Sequence, residues 1–145
     1  MALNSDQQII SADDHMDIHV LPAELFQERL PREHRELGPR VIETKEGPFW
    51  QAEGRLVSPS GSKGKGYIGA EDHGFRPGLP DKRLEDMDRD GVFAHVIYSP
   101  MTTQMRLGEP ELRAACMRAY NDWANEFNQV DPVSYTHPTL PTKRI

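Results

Sequence analysis

The apolar positions of this chain fall into runs of two different periods. Gln8-Ile9-Ile10-Ser11-Ala12-Asp13 is a short apolar run without turn residues that ends in polar, metal-competent side chains, and it predicts a buried strand. Pro22 then opens a short helix from Ala23 to Leu30, with Leu25, Phe26 and Leu30 on one side, and Pro31 closes it. Val41-Ile42, Phe49-Trp50-Gln51-Ala52 and Leu56-Val57 are separated by Glu46-Gly47 and Glu53-Gly54, which predicts a small antiparallel meander. Asp81 can cap a helix running to about Asp90, with Leu84 and Met87 facing inward and Gly91 as its left-handed stop. Val92 to Tyr98 is rich in β-branched and aromatic residues and ends at Ser99-Pro100, so it is a second strand. Pro110 starts the longest helix, to about Val130. Leu112, Ala115, Cys116, Ala119, Tyr120, Trp123 and Phe127 form one stripe along it at three- and four-residue steps.

Most of the 11 glycines and 12 prolines lie between Gly38 and Pro80, and Ser58 to Gly66 offers almost nothing to a core. A loop this long inside a domain is either a lid or a mobile insertion. The order strand, insertion, helix, strand, helix reads as βαβ units with a parallel sheet, because a parallel crossover needs a helix between its strands. Two such strands cannot bury both faces. The pattern is therefore that of the opening of a larger α/β domain.

Asp13 and His15 stand one residue apart at the end of the first strand. If the extended conformation persists, both side chains point to one face and can share an ion, and a carboxylate with an imidazole suits a divalent transition metal such as zinc. Taken alone, Asp-x-His is a weak signal that many loops contain, and on spacing only the simpler reading is a solvated turn following a strand. Asp14 faces the other way, where it can cap the turn or bond to backbone. His19 lies four residues beyond His15, but no Glu follows the first His as in a zinc-protease helix, so it is read as structural or as support for a ligand.

Ile9-Ile10-Ser11-Ala12-Asp13-Asp14-His15, followed by Leu21-Pro22-Ala23-Glu24-Leu25-Phe26, resembles the start of amidohydrolase-related proteins, the group that includes aminocarboxymuconate semialdehyde decarboxylase. Arg83-Leu84-Glu85-Asp86-Met87-Asp88-Arg89-Asp90-Gly91-Val92 resembles that family's first barrel helix leading into its second strand. Ala119-Tyr120-Asn121-Asp122-Trp123 with Glu126-Phe127 resembles its next helix. Together these stretches cover most of Ile9 to Pro132, apart from Ser58 to Gly74.

The resemblance implies an α/β fold: the N-terminal portion of a metal-dependent-hydrolase TIM (β/α)8 barrel, with a small β-meander and loop insertion at about 38–80, truncated after about two barrel strands. It implies a mononuclear metal at the C-terminal mouth of the strands, with Asp13 and His15 as two of its ligands. The family's remaining ligands, a His and an Asp, and the catalytic acid or base would come from strands beyond this chain. The implied chemistry in the full-length parent is hydrolysis of C–N or C–O bonds, or decarboxylation of a small carboxylated substrate, by a metal-activated water. The fragment itself is expected to be inactive, and the full-length parent could form oligomers. A non-catalytic α/β interaction module is the alternative reading.

Asp86-Met87-Asp88-Arg89-Asp90-Gly91 matches the opening half of an EF-hand calcium loop, but position twelve is Ile97 where a Glu is required, so the acids are read as a solvated helix face. Cys116 sits within the apolar stripe and is read as a buried structural thiol. His95 shares a strand face with Ile97 and is read as a packed or bonded core histidine. His73, beside Gly74, would touch substrate only from a lid.

Composition narrows the classes. With 17 basic and 23 acidic residues the formal net charge is -6, which argues against a nucleic-acid partner held by bulk positive charge. One cysteine excludes an internal disulfide and a multi-cysteine zinc site, and fits a reducing compartment. No apolar run approaches a membrane span, and Met1 to Ile10 lacks a signal-peptide pattern, so a soluble cytoplasmic protein acting on a small molecule is expected.

The tail breaks the pattern. Val133-Ser134-Tyr135-Thr136-His137-Pro138-Thr139-Leu140-Pro141-Thr142 stands where a third strand should begin, yet it carries prolines and lacks apolar alternation. It also resembles the translation of a transposon-end adapter used in shotgun library preparation, differing only at Pro138. Residues 133–145 are thus read as a non-native tail and 1–132 as the barrel fragment. The apolar faces of both strands and of the long helix are then expected to be left exposed, giving a molten or aggregating polypeptide that binds zinc poorly.

Overall fold

The computed structural model describes residues 8–61, 78–101, 105–132 and 134–136. Strand β1 spans Ile9–His15 and leads through a 3-10 turn at Ile18–Val20 into two short helices, α1 (Leu25–Arg29) and α2 (Arg32–Arg35). Strands β2 (Arg40–Thr44), β3 (Gly47–Ala52) and β4 (Arg55–Pro59) follow. Helix α3 (Pro80–Asp90), strand β5 (Val92–Tyr98), helix α4 (Pro110–Asn128) and strand β6 (Tyr135–Thr136) complete the order. Among the described residues, no helix is long and apolar enough to cross a membrane.

Two sheets result. β2, β3 and β4 form the predicted antiparallel meander, paired Val41 to Trp50 and Ala52 to Arg55. Its second turn works because Glu53 (φ 49°) and Gly54 (φ 72°) both adopt the left-handed conformation that matches the twist of the flanking strands. β1 and β5 pair in parallel, as the βαβ reading requires, with α3 in the crossover between them. Gly91 (φ 70°) ends α3, its backbone amide donating to the Met87 and Asp88 carbonyls.

Several boundaries differ from the sequence reading. The first helix is shorter, Leu25–Arg29, and it ends just before Pro31 as expected, but Pro31 also serves as the N-cap of α2, since a proline before the first turn needs no donor. Leu79, not Asp81, is the N-cap of α3, with Pro80 at its first position. β4 continues past Val57 to Pro59, and Ser60 is buried, its amide donating to the Pro48 carbonyl at 2.9 Å. The lid-or-insertion segment beyond Gly61, including His73, lies outside the described residues up to Gly78.

The tail also differs. Tyr135–Thr136 pair in parallel with His95 and Val96, and the His95 amide donates to the Ser134 carbonyl at 3.1 Å, so the parallel sheet has the order β1-β5-β6. Two residues suffice because the open edge of β5 offers unpaired backbone groups and the prolines of the tail come only after Thr136.

The core lies on one side of this sheet. The stripe of α4 (Leu112, Ala115, Cys116, Ala119, Tyr120, Trp123 and Phe127, joined by Ala124) is buried together with Met16, Leu25, Phe26, Ile97 and Met87. The long helix is therefore covered, contrary to expectation. The strands are not: Ile10 is 62% exposed, and Ile9, Phe93 and Tyr98 are exposed too, so β1 is not the buried strand its composition suggests. The meander docks through Trp50, fully buried and meeting the Phe26 ring edge-on at 5.9 Å between centroids.

Candidate metal-binding site

The register of β1 on β5 decides which way the acidic end of β1 faces. Ser11 pairs with His95 and Asp14 with Ile97, so three steps along β1 match two along β5. The extra residue is a bulge. It brings Ser11 and Asp14 to the same side, the side facing α3, where both line a cleft of ≈280 Å³ with Arg83 and His95. Asp13 and His15, flanking Asp14 in a strand that stays extended through residue 15, turn to the opposite, open side.

There the two predicted ligands meet. His15 Nε2 lies 3.4 Å from Asp13 Oδ1, with side chains 54% and 86% exposed. The His15 ring is 6.1 Å from that of its strand partner Tyr98. Among the described residues, no group of three or more metal-competent side chains forms. The pair still suits a zinc ion: bonds of roughly 2.1 Å at a tetrahedral angle place neighbouring donor atoms about 3.4 Å apart. Asp13 and His15 would be the residues to hold such an ion, with its other ligands supplied from elsewhere.

On the sheet's other side Asp14 makes the contact that sequence reasoning missed. Its Oδ2 lies 2.5 Å from His95 Nδ1 and 3.6 Å from Arg83 Nη2, and Arg83 Nε lies 3.3 Å from His95 Nε2. Arg83 can only donate, so His95 Nε2 accepts and Nδ1–H donates to Asp14, which is a neutral imidazole. Burial, with His95 only 2% exposed, holds the imidazole below its ordinary range and Arg83 adds to this, against the opposing pull of Asp14. The expected bonded core histidine is present. The sequence reading gave Asp14 a turn or backbone partner; the structure sets its carboxylate against His95, 81 residues away and beyond any local pattern.

The remaining candidates fall away from the open side. His19 is largely buried and 3.9 Å from Asp17, and burial lowers its pKa. Cys116 is buried, its thiol pushed up to about 12, chiefly by burial. Asp86, Asp88 and Asp90 all lie in α3, so no calcium loop forms. Tyr120 is likewise pushed up to about 12 by burial. Glu53 was not singled out by sequence. Its carboxylate accepts from the Gly108 and Glu109 amides at the start of α4 at 3.0 and 2.8 Å, and those bonds hold its pKa below the usual carboxylate range. The only local hint was its place before Gly54 in a hairpin turn.

No family model matches the sequence, and no curated protein matches it. Among solved structures, the chain is similar to an amidohydrolase from Mycobacterium avium subsp. paratuberculosis K-10, with a TM-score of 0.66 and 12% sequence identity over 94% of this chain. The match spans 43% of that chain. At this identity the likeness is one of fold alone: the protein has a mixed α/β structure, with one parallel and one antiparallel sheet, that resembles part of that neighbour.

Proposed function

We propose that the chain forms the opening section of a metal-dependent hydrolase barrel and contributes Asp13 and His15 to a divalent-metal site, with zinc as the preferred ion. The observation that supports this reading is the 3.4 Å approach of Asp13 Oδ1 and His15 Nε2 at the C-terminal end of the first parallel strand, in a fold of the amidohydrolase type. Active sites of (β/α)8 enzymes gather at that end of the strands.

Each side chain has a definite task in this reading. Asp13 supplies an anionic oxygen and His15 a neutral nitrogen, and both stand on the open side, free of the helix layer. A divalent ion held there supplies Lewis acidity and a more acidic bound water, suited to hydrolysing a C–N or C–O bond or decarboxylating a small carboxylated compound. Two protein ligands fall short of the three that a catalytic zinc takes, so this chain alone is expected to be inactive and to bind zinc weakly.

Competition with a chromophoric chelator tests the reading. Zinc affinity should be measurable and should fall at least about tenfold in Asp13→Asn and in His15→Gln, as for loss of one ligand contact. Equal affinity in wild type and both variants overturns it.

For the tail, we propose that residues 133–145 derive from an adapter and that the strand at Tyr135–Thr136 pairs with β5 opportunistically. The DNA following the Pro132 codon should read as adapter. The same tail closing a complete genomic gene overturns this.

A further inference from the structure

Asp13 and His15 span one edge of a zinc tetrahedron, their donor atoms 3.4 Å apart, close to the spacing of two ligands on one ion. A structural zinc takes four protein ligands, so an ion held by this edge lacks two. Among the described residues, no group of three metal-competent side chains forms.

The surroundings of the pair face outward. Both side chains are exposed, on the side of the parallel sheet away from α3. Ile10 precedes Ser11, which lines the cleft toward α3, so alternation turns Ile10 to the open side, where it is exposed too. Tyr98, the strand partner of His15, is exposed with its ring 6.1 Å from the imidazole. Two polar donors thus share one open face with an isoleucine and a tyrosine.

A second copy of the chain meets the ion's demand. A tetrahedron has two-fold axes that carry one edge onto the opposite edge, and two-fold pairs are the commonest form of self-association. Such an axis through the ion sets a second Asp13 and His15 at the two remaining corners. Charge agrees with this count. Each chain carries a formal net charge of -6, and two Asp13 carboxylates brought together repel, whereas a divalent cation between them cancels both. The exposed apolar residues are too few to hold two chains unaided, since stable interfaces engage roughly 20–30 residues a side. The ion is the link, and Ile10 and Tyr98 flank it.

We propose that zinc joins two copies of this chain through Asp13 and His15 of each, closing a site of two carboxylates and two imidazoles. The proposal rests on the reading of that pair as a metal site and adds the partner that completes it.

Sedimentation equilibrium of the full chain, with zinc added stepwise and bound zinc measured by dialysis, tests this. The zinc-free chain should sediment as a monomer. Zinc should double its mass at one ion per two chains, and EDTA should reverse the change. Asp13→Asn and His15→Gln each remove two of the four donors at once, so the zinc concentration for half-dimerisation should rise at least about tenfold. Both positions are exposed, so the variants keep the wild-type fold. Zinc bound by a chain that stays monomeric overturns the dimer and leaves the metal reading of the pair intact. Absence of bound zinc overturns both. A dimer that forms without zinc, or equally well in the variants, overturns the proposal, as does a zinc-driven species larger than a dimer.

Discussion

The Glu53 carboxylate accepts the Glu109 amide at 2.8 Å, tying the turn of the meander to the first residue before α4. Glu109 itself caps the helix by accepting the Leu112 amide at 2.6 Å, so two acids share the positive end of one helix dipole. Arg55 closes the cluster, reaching Glu53 at 2.9 Å and the Arg106 carbonyl at 3.1 Å.

Glu53→Ala should therefore lower stability by about 1.5–3 kcal/mol, the usual worth of hydrogen bonds to a charged group. The pH sign follows from linkage. Folding lowers the Glu53 pKa below its ordinary value of 4.5, so its contribution is present above that pH and is lost as the pH falls through the lower folded value. Denaturant titrations at pH 7 and pH 3 should show the wild-type–variant gap narrowing in acid; a constant gap contradicts the assignment.

His95 has the opposite chemistry and a similar acid sensitivity. Its folded pKa is lowered from 6.5 by burial and by Arg83, so the unfolded chain takes up the proton first. Stability should fall as the pH drops below about 6.5, until the folded group titrates as well. The chemical shift of the His95 ring should titrate below 6.5. A His95 midpoint above 6.5 would reverse the sign.

Cys116 should resist alkylation. With the thiol buried and its pKa pushed up to about 12, almost no thiolate exists at pH 8. Iodoacetamide labelling in native buffer should proceed only as fast as unfolding exposes the residue, and rapid labelling would place Cys116 at the surface.

Phe26→Ala should cost roughly 3–5 kcal/mol, as expected for removing a fully buried aromatic ring. Because Phe26 meets Trp50 edge-on, the change should also alter tryptophan emission before any global unfolding. Unaltered emission with a small stability loss would separate the meander from the helices.

Much of the local architecture was legible in the amino-acid order. The meander followed from glycines placed where positive φ is needed, the ends of α3 and α4 from Gly91 and Pro110, and the buried stripe of α4 from its three- and four-residue steps. These are properties of neighbours along the chain. The pairing of Asp13 with His15 was legible too, because alternation acts over two residues.

Other features depended on partners brought together by folding. The exposure of Ile9 and Ile10 depends on what covers the sheet, not on their own hydrophobicity. The short strand at Tyr135–Thr136 exists because β5 has a free edge, and Ser60 is buried because β4 runs on against Pro48. Asp14, His95 and Arg83 are distant in sequence, and only the parallel crossover sets them within bonding distance. The sequence alone determined the periodicity, the turns and the candidate chemistry, because backbone sterics and side-chain spacing act locally. Tertiary structure decided the register, the exposed face and the partner of every buried polar group, because those energies belong to contacts between segments that the chain order does not place side by side.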